Sequence, residues 1–108
     1  EIEDYARGLL AEEAGELVQA LGKAARFGID TPGPDRAPYF GATAREMLEL
    51  ECGDVLAAIE WATHAGLIRR SVVADQAMRK QAKLINPESK DNLGRPLAPP
   101  LPQEDQTP

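Results

Sequence analysis

Residues 4 to 27 read "DYARGLLAEEAGELVQALGKAARF", and the spacing of their apolar side chains decides the fold. Tyr5, Leu9, Leu10, Leu17, Ala20, Leu21 and Ala24 recur three and four apart, the period of an amphipathic helix running from about Ile2 to Phe27. Gly28 supplies a C-terminal stop. The next stretch, "GIDTPGPDRAPYFGA" (28–42), holds three prolines and three glycines in fifteen residues and reads as a loop long enough to carry function. Thr43 and Glu46 then form a capping-box pattern, and Met47, Leu48, Val55, Ala58, Ile59 and Ala62 continue a second stripe to about His64, with Gly66 ending it. Ser71 is placed to cap a third helix whose buried arc is Val73, Ala74, Ala77, Met78, Leu84 and Ile85, with Pro87 as its stop. From Pro87 onward there are six prolines in 22 residues, which predicts an extended or disordered tail, or one lying along a neighbouring subunit. The expected organisation is a helical domain over 1–86, interrupted by the loop 28–42, and a Pro-rich tail over 87–108.

A chain of 108 residues suits one domain, small enough to gain from oligomerisation. With 43% hydrophobic, 28% charged and 5% aromatic residues it favours an Ala/Leu-rich, all-α helical bundle over a sandwich or barrel. The net charge of −6, with no segregated basic face, argues against a nucleic-acid polymer as partner. No apolar run approaches the roughly 18 residues that span a bilayer, so no membrane partner is expected. The single cysteine, Cys52, cannot form an intrachain disulfide and reads as buried packing rather than a nucleophile. A cytoplasmic protein is the simplest reading. No signal peptide is visible, although the chain opens on Glu1 rather than Met, which leaves room for sequence upstream.

Two segments run against helix propensity. "EEAGE" (12–16) and "ECGD" (51–54) each set a glycine before an acid inside an otherwise helical stretch. Positions three apart on a helix are offset by roughly 60°, so Glu13 and Glu16 project side by side, as do Glu51 and Asp54. Leu9, Glu13, Glu16, Leu17 and Ala20 share one stripe; Met47, Glu51, Asp54, Val55, Ala58 and Ala62 share the other. The acids therefore lie on or beside the faces that helices turn toward each other, where unpaired charge is costly to bury. Neither stripe has Lys or Arg at matching positions, and an anionic, oxygen-only set is what hard divalent cations such as Mg²⁺ or Mn²⁺ prefer. Gly15 and Gly53 give up roughly 1 kcal/mol each of helix propensity, a loss offset if two helices or a phosphate must approach closely. The competing reading is a solvated acidic face. A di-iron bundle would need Glu-x-x-His pairs, which His64, four residues after Glu60, does not supply; it reads as an ordinary helix-end residue.

"EEAGE" resembles the E-E-x-x-E element, and "ECGD" the E-x-x-D element, of the MazG-like all-α nucleoside triphosphate pyrophosphohydrolases, relatives of dimeric dUTPases and phosphoribosyl-ATP pyrophosphohydrolases. The resemblance covers roughly residues 5 to 86. The 34 residues between Glu16 and Glu51 exceed the spacing of compact members, and the Pro/Gly-rich loop accounts for the excess. It implies hydrolysis of a nucleoside triphosphate between its α and β phosphates, giving the monophosphate and pyrophosphate, with Mg²⁺ required and Mn²⁺ an alternative. Carried over residue by residue, Glu13, Glu16, Glu51 and Asp54 would ligate metal, with Glu13 also serving catalysis. Glu12 would join that shell or orient the attacking water.

Lys23, seven residues after Glu16 and about 10 Å further along the same stripe, is a candidate for a β or γ phosphate. Lys80, Lys83 and Asn86 loosely match the Lys, Asn and Arg that family members carry on the later helix, although Lys83 falls on the polar face. For the base, the candidates are Trp61, Tyr39, Phe40 and Phe27, the middle two in the loop, where a lid would originate. Only eleven residues precede Glu12, so an upstream base-recognition segment is absent or comes from another subunit. The expectation is a house-cleaning enzyme, a homodimer or homotetramer whose bundle is completed by dimerisation. The alternatives are a phosphoribosyl-ATP pyrophosphohydrolase-like enzyme and a catalytically silent helical module that binds a basic partner.

Overall fold

A computed structural model describes residues 1–102, which are all-helical in their regular structure: α1 (Ile2–Phe27), α2 (Ala44–His64) and α3 (Arg70–Ile85). The chain divides into two compact units, Glu1–Ile68 and Arg69–Pro108, of which the second is described to residue 102.

In the first unit both helices start and stop where the sequence places them. Gly28 takes a φ of 94°, a region a side chain would disfavour, while its N–H returns to the Ala24 carbonyl at 2.9 Å. At α2 the capping box is complete: the Glu46 N–H donates to Thr43 Oγ1 at 3.1 Å, and the Thr43 N–H donates to Glu46 Oε1 at 2.8 Å. Tyr5 meets Trp61 near one end of the pair, while Glu13 and Glu16 meet Asp54 and Glu51 further along, so α1 and α2 run antiparallel.

The most deeply buried part of their contact is made by small side chains. Ala6, Ala58 and Ala62 are the fully buried hydrophobics, and no large side chain is fully buried among the described residues. Alanine lets the backbones approach closely but removes little apolar area from water. Val18, Leu21, Leu50 and Leu56 remain exposed on the same two helices. No helix is long and apolar enough to cross a membrane, among the described residues.

The 28–42 loop is tied down rather than loose. The Gly33 N–H donates to the Ala42 carbonyl at 2.7 Å, Gly41 N–H to Pro34 at 3.0 Å, and Arg45 N–H to Ile29 at 2.8 Å. Asp30 pairs with Arg45 at 2.9 Å, and the Thr31 hydroxyl donates to the Phe27 carbonyl at 2.6 Å, which fastens the loop to both helix ends. Gly33 is required there. A Cβ on it would sit 2.9 Å from the Ala42 carbonyl oxygen and 3.1 Å from Tyr39 Cβ.

In the second unit α3 begins one residue before Ser71, with Arg69 as an extended N-cap that makes no side-chain cap bond, so Ser71 is not the cap. Every residue of α3 is exposed, which overturns the expected buried arc of Val73, Ala74, Ala77, Met78, Leu84 and Ile85: the unit has no second helix to cover them. The segment after Pro87 is not featureless either. Asp91 accepts hydrogen bonds from the N–H groups of Leu93 and Arg95 and pairs with the Arg95 guanidinium at 2.8 Å, closing a turn bridged by Lys90 and Pro96. Residues 103–108 of the expected tail lie outside the described residues. Cys52 is exposed, not buried packing, because it lies on the outer side of α2.

Candidate metal centre

The antiparallel pairing of α1 and α2 sets Glu13 and Glu16 across from Asp54 and Glu51. One carboxylate oxygen from each of the four lies within 4.8 Å of all the others. Glu13, Glu16 and Glu51 are half-buried and Asp54 is exposed, so the cluster sits in the groove between the helices, not in a sealed interior. Two of its oxygens, Glu13 Oε2 and Glu51 Oε2, are shut off from water and have no hydrogen-bond partner. Buried acceptors without a donor are unfavourable and rare.

Electrostatics report the same crowding. Burial, and then the neighbouring charges of Glu16 and Asp54, push the Glu13 carboxyl above its ordinary range. Burial followed by the same two neighbours does so for Glu51, with the Lys23 ammonium pulling the other way. Four anionic oxygen donors on two rigid helices, two of them unsatisfied, fit a hard divalent cation, which would supply the missing positive charge. Gly15 and Gly53 are not what lets the helices meet, since a Cβ on either would find nothing within 4 Å.

The acids separate two cavities. On one side Glu16 and Glu51 border a space of about 680 Å³ between α1, the start of α2 and the 28–42 loop, lined by Lys23, Phe27, Arg36 and Tyr39 among others. Lys23 Nζ donates to Tyr39 Oη at 3.0 Å, and this bond, with the lysine's charge, lowers the phenol's pKa. On the other side Glu13 and Asp54 border a more open groove of about 380 Å³ containing Tyr5 and Trp61, whose rings meet edge to face at 6.2 Å.

Of the residues singled out in the sequence, Glu13, Glu16, Glu51 and Asp54 come together, and Lys23 and Trp61 border them on opposite sides. Glu12 is exposed and outside the cluster, because the adjacent helix position points about 100° away. Lys80, Lys83 and Asn86 are exposed in the second unit. His64 pairs with Glu60 at 3.0 Å in the last turn of α2, as a helix-end residue would. Sequence reasoning missed Arg36, Gln19 and Thr31 as cavity-lining residues; only the helical register of Gln19, three after Glu16, carried a signal. No protein-family model matches the chain, and neither a curated protein nor a solved structure matches it.

Proposed function

We propose that the chain is a Mg²⁺-dependent nucleoside triphosphate pyrophosphohydrolase that cleaves between the α and β phosphates and serves nucleotide-pool house-cleaning. The observation that carries the reading is the convergence of Glu13, Glu16, Glu51 and Asp54 within 4.8 Å from two antiparallel helices. In this reading all four hold Mg²⁺, or Mn²⁺ in its place. The bound cation supplies charge neutralisation for the phosphate oxygens and favours ionisation of a water. The protein positions the acids on rigid helices so that the site is formed before substrate arrives. Glu13, at the edge next to the open groove, is the candidate to orient the attacking water and accept its proton; Glu12 has no place in this scheme.

The resemblance to the MazG-like family supports the same reading through "EEAGE" and "ECGD". The exposed Val18, Leu21, Leu50 and Leu56 support a bundle completed by a second copy, because the contact between α1 and α2 leaves this apolar surface in water. A monomer by sedimentation at micromolar concentration would remove that part of the reading.

Pyrophosphate release from a nucleotide panel with Mg²⁺ tests the reaction. Glu51→Gln and Asp54→Asn are expected to reduce release by more than the roughly 10–100-fold typical of outer-shell partners. Release unaffected in both variants contradicts the reading. No release from any nucleotide, with no divalent binding, favours a helical interaction module.

A further inference from the structure

The cavity under the 28–42 loop is distinct in character from the acids it adjoins. Its walls are mostly apolar, with Phe27, Pro32, Pro34, Pro38 and Met47 among them, and its volume of about 680 Å³ falls within the range of organic-ligand sites. Away from the Lys23 and Arg36 cations, phosphate oxygens would be poorly solvated against such walls, whereas a planar heterocycle buries its faces there favourably. The groove on the opposite side is smaller and more open, and Tyr5 is 61% exposed, so it offers a ring less enclosure.

Beyond Glu16 and Glu51, which the proposed cation would occupy, the polar groups of the cavity are biased toward donation. Lys23 and Arg36 can only donate. Tyr39 Oη already accepts from Lys23 at 3.0 Å, which leaves its own O–H to donate. Thr31 spends its hydroxyl proton on the Phe27 carbonyl, so its oxygen is left only to accept. Gln19, whose amide offers one of each kind, does not discriminate. A ligand edge presenting carbonyl oxygens satisfies Lys23, Arg36 and Tyr39, while one presenting an amino group leaves those donors facing donors.

We propose that this cavity receives the base of the nucleotide and that Tyr39 and Lys23 select bases with an oxo-bearing edge, such as uracil, over amino-bearing ones, such as adenine. The assignment rests on the pyrophosphohydrolase reading of the adjoining acids for the placement of the phosphates. It makes the loop, anchored by Asp30–Arg45 and by Gly33 against Ala42, the specificity element of the site.

Calorimetry of the full chain with Mg²⁺ and the non-hydrolysable α,β-imido analogues of UTP and ATP tests it, with inorganic imidodiphosphate as a probe of the phosphate region alone. The uracil analogue is expected to bind more tightly. Tyr39→Phe, which keeps the ring, is expected to weaken that analogue roughly three- to tenfold and to leave the adenine analogue and imidodiphosphate unchanged. Tyr39→Ala, which also removes a wall, is expected to weaken both nucleotides and still spare imidodiphosphate. Circular dichroism melting checks that both variants fold. Imidodiphosphate weakened in step with the nucleotides would place the phosphate tail in the cavity and overturn the proposal. So would an absence of effect in both variants, or no nucleotide binding by the unaltered chain. Base-selective binding lost in Tyr39→Phe but without pyrophosphate release would sink the reaction and leave the base assignment standing.

Discussion

Gly33→Ala adds one methyl group at the point where the loop closes on itself. Its Cβ would lie 2.9 Å from the Ala42 carbonyl oxygen, an atom fixed in the backbone, and 3.1 Å from Tyr39 Cβ. That carbonyl also accepts the Gly33 N–H at 2.7 Å, so moving it aside weakens the bond that pins the loop. Overpacking of this kind costs roughly 1–3 kcal/mol and a lost hydrogen bond about 1 kcal/mol, giving about 2–4 kcal/mol if both are felt in full. The helices do not depend on this contact, so the cost is expected as local opening of the loop more than as global unfolding. A loss of about 2 kcal/mol corresponds to roughly 30-fold faster native-state hydrogen exchange at the Gly41 and Arg45 amides, which bond to Pro34 and Ile29. Amides in the middle of α1 should exchange at their original rate. If Gly33→Ala leaves the loop amides as protected as before, the close approach of Gly33 to Ala42 is wrong, and with it the shape of the cavity that Tyr39 lines.

The helical glycines should behave oppositely. Gly15→Ala and Gly53→Ala meet no atom within 4 Å, so each is expected to stabilise its helix by about 1 kcal/mol and raise Tm by roughly 4–8 °C, read by thermal melting; a fall would show that something beyond this chain packs against them. In chelator, Glu13 and Glu51 have folded-state carboxyl pKa values raised above 4.5, so the folded protein holds more protons than the unfolded chain above that pH. Stability from these two groups is therefore expected to fall as pH climbs from about 4.5 through their folded values, which melting curves would detect as a slope that Glu51→Gln reduces and saturating Mg²⁺ abolishes; a slope unchanged by either contradicts the crowding of charge.

The helices were legible because local signals agreed with one another. Gly28, Thr43 and Glu46 each perform the capping role that their residue type announces, and the period of Leu9, Leu17 and Ala20 matches the face α1 turns to α2. The acid tetrad was legible for the same reason, since two spacings of three on neighbouring helices leave one way for the carboxylates to meet. What failed depended on partners that periodicity cannot supply. The stripe on α3 is as regular as those on α1 and α2, yet nothing in its unit covers it, so regular spacing alone did not imply burial. Cys52 is exposed although the residue type favours burial, because it is one position on from the inward Glu51 and consecutive helical positions diverge by about 100°. The cavity under the loop was hidden because Pro32, Pro34 and Pro38 signal only the end of helix; where Tyr39 lands is set by the hydrogen bonds of Gly33 and Gly41 across the loop.

Crystals grown or soaked with Mn²⁺, measured at a wavelength where manganese scatters anomalously, examine the four carboxylates themselves. An anomalous peak bounded by Glu13, Glu16, Glu51 and Asp54, lost in Glu51→Gln, is the expected result. Full manganese saturation in solution with no peak among those side chains would contradict a metal-holding role for the tetrad.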